Sequence, residues 1–284
     1  MPSTRELRRR IKSIKNTSQI TRAMEMVAAT KMRKAQAQAV SGRPYSVILH
    51  HSLSQLINKS GEISNPLVAS NESEKVGIIL LSTDKSLCGA LNTNLFRKIM
   101  GSDLKLNQAV FYTLGRKGRD FVVRSENQLE ADFINQEIVH FKNATQLRKL
   151  VAGDFLSGKI GQVYILYPHF VSTLSQVATL LQIIPIKPAE ILEPTANNGG
   201  DFLFDVSRTS LLEYLLTHHI DIQIFQAILE TKAAEHSARM ITMKNATDNA
   251  KELVSDLTLT YNGVRQDAIT SELAEITTAG MALE

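Results

Sequence analysis

Residues 208–284 contain no proline, and their apolar positions recur at the spacing that holds one stripe of a helix against a partner helix. Ile222, Phe225, Leu229, Ala233, His236, Met240, Met243, Ala246, Ala250, Leu253, Leu257, Tyr261 and Val264 make twelve steps over 42 residues, a mean of 3.5. That is the coiled-coil period rather than the roughly 3.6 of a helix lying on a globule. The other end of the chain matches it. Leu7, Ile11, Ile14, Ser18, Thr21, Met24, Ala28, Met32 and Ala35 make eight steps over 28 residues, again 3.5. Two terminal helices of matched period, with compact sequence between them, predict a shaft carrying a head.

Charge supports the pairing. Residues 1–34 hold ten Lys/Arg against Glu6 and Glu25, a net of +8, whereas residues 208–284 hold six Lys/Arg against eleven Asp/Glu, a net of −5. Opposite signs favour association of the two arms with each other. A second use of the basic arm is approach to an acidic protein surface. Nucleic acid is a third, but the basic residues lie inside the heptad stretch and no aromatic residue stands among them before Tyr45. The Arg-rich start also resembles a transit peptide, yet the stripe runs unbroken from Leu7 to Met32, and removing it would strip the C-terminal arm of its partner.

Between the arms the period changes. The first helix starts at Ser3-Thr4 before Glu6 and meets no breaker until Gly42-Arg43-Pro44, where it ends, bends or resumes towards Ile57. Val76–Leu81 is a continuous aliphatic run of the kind buried on both faces of a parallel sheet. Strands are also expected at 109–113, 162–167 and 175–184, the last antiparallel to its neighbour, with helices at 91–100, 116–123 and 144–155. The fold class is therefore a small three-layer, Rossmann-like α/β domain combined with a long antiparallel coiled coil. Its divisions are a helix over 1–57, a linker over 58–74, the α/β domain over 75–190, a linker over 191–207 and a helix over 208–284.

At about 1.5 Å per residue, a helix of about 76 residues reaches roughly 115 Å and one of about 55 roughly 80 Å. The C-terminal helix is thus expected to overhang its partner by roughly 30 Å, from about Gln266. That end closes on Ile276-Thr277-Thr278-Ala279-Gly280-Met281-Ala282-Leu283, almost without charge. An unaccompanied neutral helix is not stable in water and needs a socket.

Catalytic signals are weak. Gly153-x4-Gly158-Lys159 resembles half of a phosphate loop, but it follows a helix and precedes a strand, and Ile160 replaces the magnesium-binding hydroxyl. A helix end followed by a turn is the plainer reading. Gly115-Arg116-Lys117-Gly118 opens a helix after a strand, either as an anion site or as a tight turn. His50-His51 and His218-His219 are adjacent pairs whose rings diverge on a helix, so neither makes an i,i+4 metal pair. One cysteine, Cys88, excludes an internal disulfide and a four-thiolate metal site. No run of about 18 apolar residues is present, so no membrane span is expected. Neither catalytic, metal-binding nor cofactor-binding residues are expected.

Three blocks carry a family resemblance: Ile11–Thr17 continuing into Ile20–Met32, Glu235–Met240 with Met243–Ala250, and Tyr261–Thr270. They are similar to the gamma subunits of F-type ATP synthases, the central rotor shafts, and the likeness covers nearly the whole chain. Between them, Thr83–Asn92 resembles that family's first strand-to-helix turn, with Ser86 and Ala90 where glycine is usual; Gln19 replaces a commonly basic residue. The dithiol insertion of the chloroplast type is missing. The resemblance implies a non-catalytic rotor coupling ion flow to ATP synthesis or hydrolysis. It implies a coiled coil standing inside a ring of three alpha and three beta subunits, with Ile276, Met281 and Leu283 in an apolar sleeve. Arg22, Met24, Lys31 and Arg33 would face acidic levers of the beta subunits, and Arg265 and Gln266 would make a catch contact with a beta-subunit loop. The α/β domain would grip the epsilon subunit and the ring of c subunits, placing the chain at the cytoplasmic face of a bacterial membrane through the complex. A stand-alone coiled-coil adaptor or nucleic-acid-binding protein is the alternative, and a nucleotide-dependent enzyme a weaker third.

Overall fold

The computed structural model describes residues 3–60, 65–69, 71–187 and 207–281. It divides into two units, Thr30–Ala238 and Met1–Ala29 with Arg239–Glu284. Two long helices supply both: α1 is Thr4–Ser60 and α5 is Arg208–Met281.

In the unit Thr30–Ala238, five strands form one sheet in the order β3-β2-β1-β4-β5. They are β1 Val76–Leu81, β2 Ala109–Leu114, β3 Gln128–Phe133, β4 Gln162–Phe170 and β5 Gln176–Ile184. Val76 aligns with Ala109 on one side and Gln162 on the other, both parallel, while β5 runs back antiparallel along β4. Every residue of β1 and β2 is buried, because helices cover both faces. On one face α2 (Leu91–Met100) and α3 (Arg116–Arg124) bring Leu95, Ile99 and Val122 onto Ile78, Leu80 and Phe111. On the other, α4 (Phe141–Leu156) brings Leu147 and Val151 onto Ile79, Val110 and Ile165, with Leu53 of α1 and Ile220, Ile224 and Ile228 of α5 in the same core. The result is three layers with one antiparallel edge strand.

One departure from expectation has a physical cause. β3 was not anticipated; its Gln-Leu-Glu-Ala-Asp-Phe alternates exposed and half-buried positions, as an edge strand does. Elsewhere α1 runs on through Pro44, which lies inside it, as the helix expected over 1–57 requires. Proline removes one i→i−4 bond and crowds the carbonyl four residues earlier. Cross-helix contacts hold the helix together there: Gln226 Nε2 donates to the Ala39 carbonyl at 3.2 Å, and Tyr45 Oη lies 2.7 Å from His218 Nε2.

In the other unit, α1 begins on a capping serine, with Ser3 Oγ accepting from the Glu6 amide at 3.2 Å. Arg8 of α1 donates to Tyr261 Oη of α5 at 3.3 Å, and Thr21 meets Thr247 at 2.8 Å, so ascending one helix descends the other. Leu7 and Ala28 are buried in the seam, with Ile11, Ile14, Ser18, Thr21 and Met24 half-buried between them. On α5 the seam runs Met243, Thr247, Ala250, Val254, Leu257, Tyr261, Val264, in alternating steps of four and three. Thr247 and Val254 thus take places that hydrophobicity assigns to Ala246 and Leu253, and Leu253 is 51% exposed.

Candidate functional site

The seam stops at Val264. From Arg265 to Thr278 every residue of α5 is exposed, because α1 begins at Thr4, opposite this level. α5 continues 16 residues past Arg265 to Met281, roughly 24 Å of unaccompanied helix at about 1.5 Å per residue. Arg265 and Gln266 therefore stand at the step where two helices become one. Beyond them Ile269, Leu273 and Ile276, spaced four and three apart, form an apolar stripe facing solvent, 48%, 60% and 69% exposed. Met281 ends the helix, and Leu283 lies outside the described residues.

The threonines of this end are turned inward. Thr270, Thr277 and Thr278 each donate a hydroxyl to the carbonyl four residues earlier, at 2.9, 2.7 and 2.8 Å. With the hydroxyl spent on its own helix, each presents chiefly a methyl group outward. The tip is consequently smoother and less polar than its composition suggests.

On α1, Arg22 is exposed and Met24 sits half-buried at the margin of the seam, where a thioether chain can adapt to a changing neighbour. Lys31 and Arg33 belong to the other unit and are exposed. Lys31 Nζ is tied at 2.9 Å to Glu137, in the loop between β3 and α4. Burial pushes the Glu137 carboxyl up, but the hydrogen bond and charge of Lys31, helped by His236 and Lys232, outweigh it and hold the group below the usual carboxylate range.

Neither glycine-rich turn of the α/β domain has the geometry of a phosphate site. The first amides of α3, where a phosphate would lie in a dinucleotide-binding fold, are occupied by the chain itself. Arg116 N–H donates to Asp84 Oδ1 at 2.9 Å, Lys117 N–H to the Thr83 carbonyl at 3.0 Å, and Gly118 N–H to Ser82 Oγ at 2.7 Å. Gly115 has φ of 106°, and a Cβ there would fall 2.3 Å from the Ser82 carbonyl oxygen, so this is a tight turn. Gly158, with φ of 77°, follows the end of α4, and Lys159 pairs with Glu130 at 2.6 Å rather than awaiting a phosphate. Burial and the Asp154 carboxylate raise the Tyr112 phenol, and burial with Glu230 pushes Tyr167 up to about 12, so neither exchanges protons near neutrality. Among the described residues no group of three or more His, Cys, Asp or Glu is placed to hold a metal, and no helix is long and apolar enough to cross a membrane.

Sequence reasoning missed one set of residues. Along α5, Asp221, Glu230, Thr231, Lys232, Glu235, His236 and Ser237 are buried polar groups. No local signal marks them, since the stripe of Leu229, Ala233 and His236 runs through this stretch at an unbroken 3.5 period.

The family model described as ATP synthase matches residues 3–283. The chain is 42% identical to the ATP synthase gamma chain of Methylacidiphilum infernorum (isolate V4) over 294 aligned residues, covering 100% of each. It is 39% identical to that of Opitutus terrae, covering 99% of each. Among solved structures it is similar to a chain of the Euglena gracilis mitochondrial ATP synthase in an OSCP/F1/c-ring assembly, with a TM-score of 0.71, 19% identity, and 99% and 94% of the two chains covered. A chain of the central stalk and c-ring of the Tetrahymena thermophila enzyme gives 0.61 and 21%, with 80% and 99% covered. At those identities the structural likeness is one of fold.

Proposed function

Because the chain belongs to the ATP synthase gamma chain family, we propose that it is the non-catalytic central rotor of a bacterial F-type ATP synthase. Its coiled coil stands inside the ring of alpha and beta subunits. Its α/β domain engages epsilon and the c-ring at the cytoplasmic face of the membrane. The observation that carries the reading is the bare end of α5, whose Ile269, Leu273 and Ile276 make an apolar stripe that meets no partner among the described residues. Such an end requires a sleeve of foreign protein.

Rotation then does its work through asymmetry. A two-helix shaft inside a ring of three equivalent catalytic subunits touches each differently at any instant. Each orientation biases each site's open–closed equilibrium by its differential contacts, so turning the shaft changes nucleotide affinity in sequence. Arg265 and Gln266, at the step from two helices to one, serve as the catch. Arg22, Met24, Lys31 and Arg33 face the acidic levers, where opposite charge sets approach and register. Ile276, Met281 and Leu283 turn in the sleeve.

The test is co-purification. Tagged chain expressed with its genomic neighbours should bring down alpha and beta subunits in a complex that hydrolyses ATP, whereas the chain alone should not. Recovery of the chain free of both subunits, from cells that contain them, would reject the rotor assignment.

A further inference from the structure

The part of α5 that crosses the α/β unit is buried on all sides, with Ala227–Ala238 lacking any exposed position. It is a rod passing through a collar, not an amphipathic helix lying on a surface. An apolar collar alone grips such a rod poorly about its own axis, because hydrophobic contact is non-directional. Directional contacts are present, and they fall on opposite sides. Asp221 accepts from Arg148 Nε of α4 at 2.7 Å, with side chains only 9% and 15% exposed. Lys232 Nζ donates to the Asn135 carbonyl, in the loop leading to α4, at 3.2 Å. Glu230 Oε2 lies 2.5 Å from His169 Nδ1 of β4, and Ser237 Oγ donates to the Thr173 carbonyl at the β4–β5 turn at 2.6 Å. At about 100° per residue, Lys232 points within roughly 20° of Asp221, while Glu230 and Ser237 point roughly 180° and 160° from it.

We propose that these opposed contacts are a keyway that transmits torque between the α/β domain and α5. The proposal rests on the rotor reading above and names the residues that bear its load. Contacts on one side of a rod leave a hinge, but contacts on opposite sides form a couple and stop the rod from spinning. Asp221, Glu230, Lys232 and Ser237 are thus positioning residues: they touch no nucleotide and act by fixing the angle of the shaft. The tie from Gln226 Nε2 to Glu230 Oε1 at 3.3 Å, and from the same amide to the Ala39 carbonyl, brings α1 into the lock.

Apolar replacement of both partners of a buried pair tends to preserve stability while removing its directionality. The assembled complex is therefore prepared with Arg148→Met/Asp221→Leu, with His169→Leu/Glu230→Met, and with all four changes. A bead is fixed through Ser125→Cys on the exposed end of α3, and rotation is followed against increasing load. Unloaded ATP hydrolysis should match wild type in every case. Each two-residue variant should keep most of the stall torque, while the four-residue variant slips at loads that wild type sustains, a loss larger than the two separate losses combined. Thermal midpoints should instead fall additively, because the two sites share no partner. Equal stall torque in wild type and the four-residue variant, or a loss that only tracks the midpoints, overturns the keyway. The milder Arg148→Lys/His169→Gln chain, which weakens one contact on each side and deletes no buried charge, gives the same reading if the larger changes do not assemble. A wild-type chain that fails to turn in the ring defeats the rotor assignment itself and is told apart by that control.

Discussion

Thr21 of α1 and Thr247 of α5 face one another across the coiled-coil seam with their hydroxyl oxygens 2.8 Å apart. Each also has a carbonyl on its own helix within reach, Ser18 for Thr21 at 3.1 Å and Met243 for Thr247 at 2.8 Å. Each hydroxyl has one proton, so one threonine donates across the seam while the other donates to its own carbonyl and accepts. A polar pair inside an apolar seam fixes register at some cost in stability. Removing one hydroxyl should cost about 1 kcal/mol, and removing both with isosteric valine should be close to neutral. Thermal unfolding of Thr21→Val, Thr247→Val and the double variant forms the cycle that checks this. Strict additivity would mean the two hydroxyls do not interact.

Lys31 and Glu137 give a pH prediction. The Glu137 carboxyl is held below its ordinary 4.5 in the folded chain, chiefly by Lys31 against the opposing effect of burial. A depressed carboxyl contributes stability that is present above the unfolded value and is lost as pH falls through the folded one. Wild type should therefore lose thermal stability on acidification below 4.5, and Lys31→Met should show a shallower decline across the same range. Both side chains are half open to solvent, at 44% and 58% exposure, so added salt should shrink the difference. Parallel pH profiles for the two chains would show that the ion pair carries no linkage.

Much of the fold is legible in the sequence because its signals are local. The aliphatic run of β1 declares a doubly covered strand, and the period of 3.5 declares the paired helices. What escaped reading did so for identifiable reasons. β3 alternates so regularly with Gln128, Glu130 and Asp132 that it passes for a polar loop unless period two is sought. That α1 continues through Pro44 is legible from the period resuming towards Ile57, but the contacts that brace it there come from Gln226 and His218, more than 150 residues away, and are not. Counting apolar residues chose Leu253 over Val254, since leucine is the more hydrophobic, although only the strict four-three alternation from Met243 faces α1. For the candidate site, the exposure of Arg265 and Gln266 follows from helix length alone. The pairing of Lys31 with Glu137, and the buried polar run on α5, depend on tertiary approach and leave no local trace.

Arg265 and Gln266 are exposed at the step from two helices to one, so replacing either should leave the chain's own stability within about 0.5 kcal/mol. If they form the catch, Arg265→Ala and Gln266→Ala should each weaken association with the alpha–beta ring by about tenfold, or about 1.4 kcal/mol. Titration of labelled chain against the isolated ring, beside its thermal midpoint, separates the two effects. Unaltered affinity in both variants would remove these residues from the contact.

At the tip, Ile276→Lys adds a charge to a stripe that needs an apolar lining. The free chain should become less prone to aggregate, because an exposed apolar stripe has been interrupted. Yield of assembled complex should fall, because a lysine inside an apolar sleeve is desolvated without a partner. An assembly yield equal to wild type would place the tip in water.

Met24 tests whether the shaft must turn without being gripped. Its side chain is half-buried at the margin of the seam, and a thioether can repack against successive neighbours at little cost. Met24→Lys keeps a flexible chain of similar length but adds an ammonium at its end, which can reach an acidic lever. The new ion pair stabilises one angular position over the others, and a contact that favours one orientation resists leaving it. Hydrolysis should continue while ion transport per ATP falls, and the defect should ease at high ionic strength, where an exposed pair is screened. Proton uptake by vesicles carrying the reconstituted complex, measured beside phosphate release at low and high salt, gives the ratio directly. A ratio equal to wild type at both salt levels would mean that Met24 does not meet the levers during the cycle.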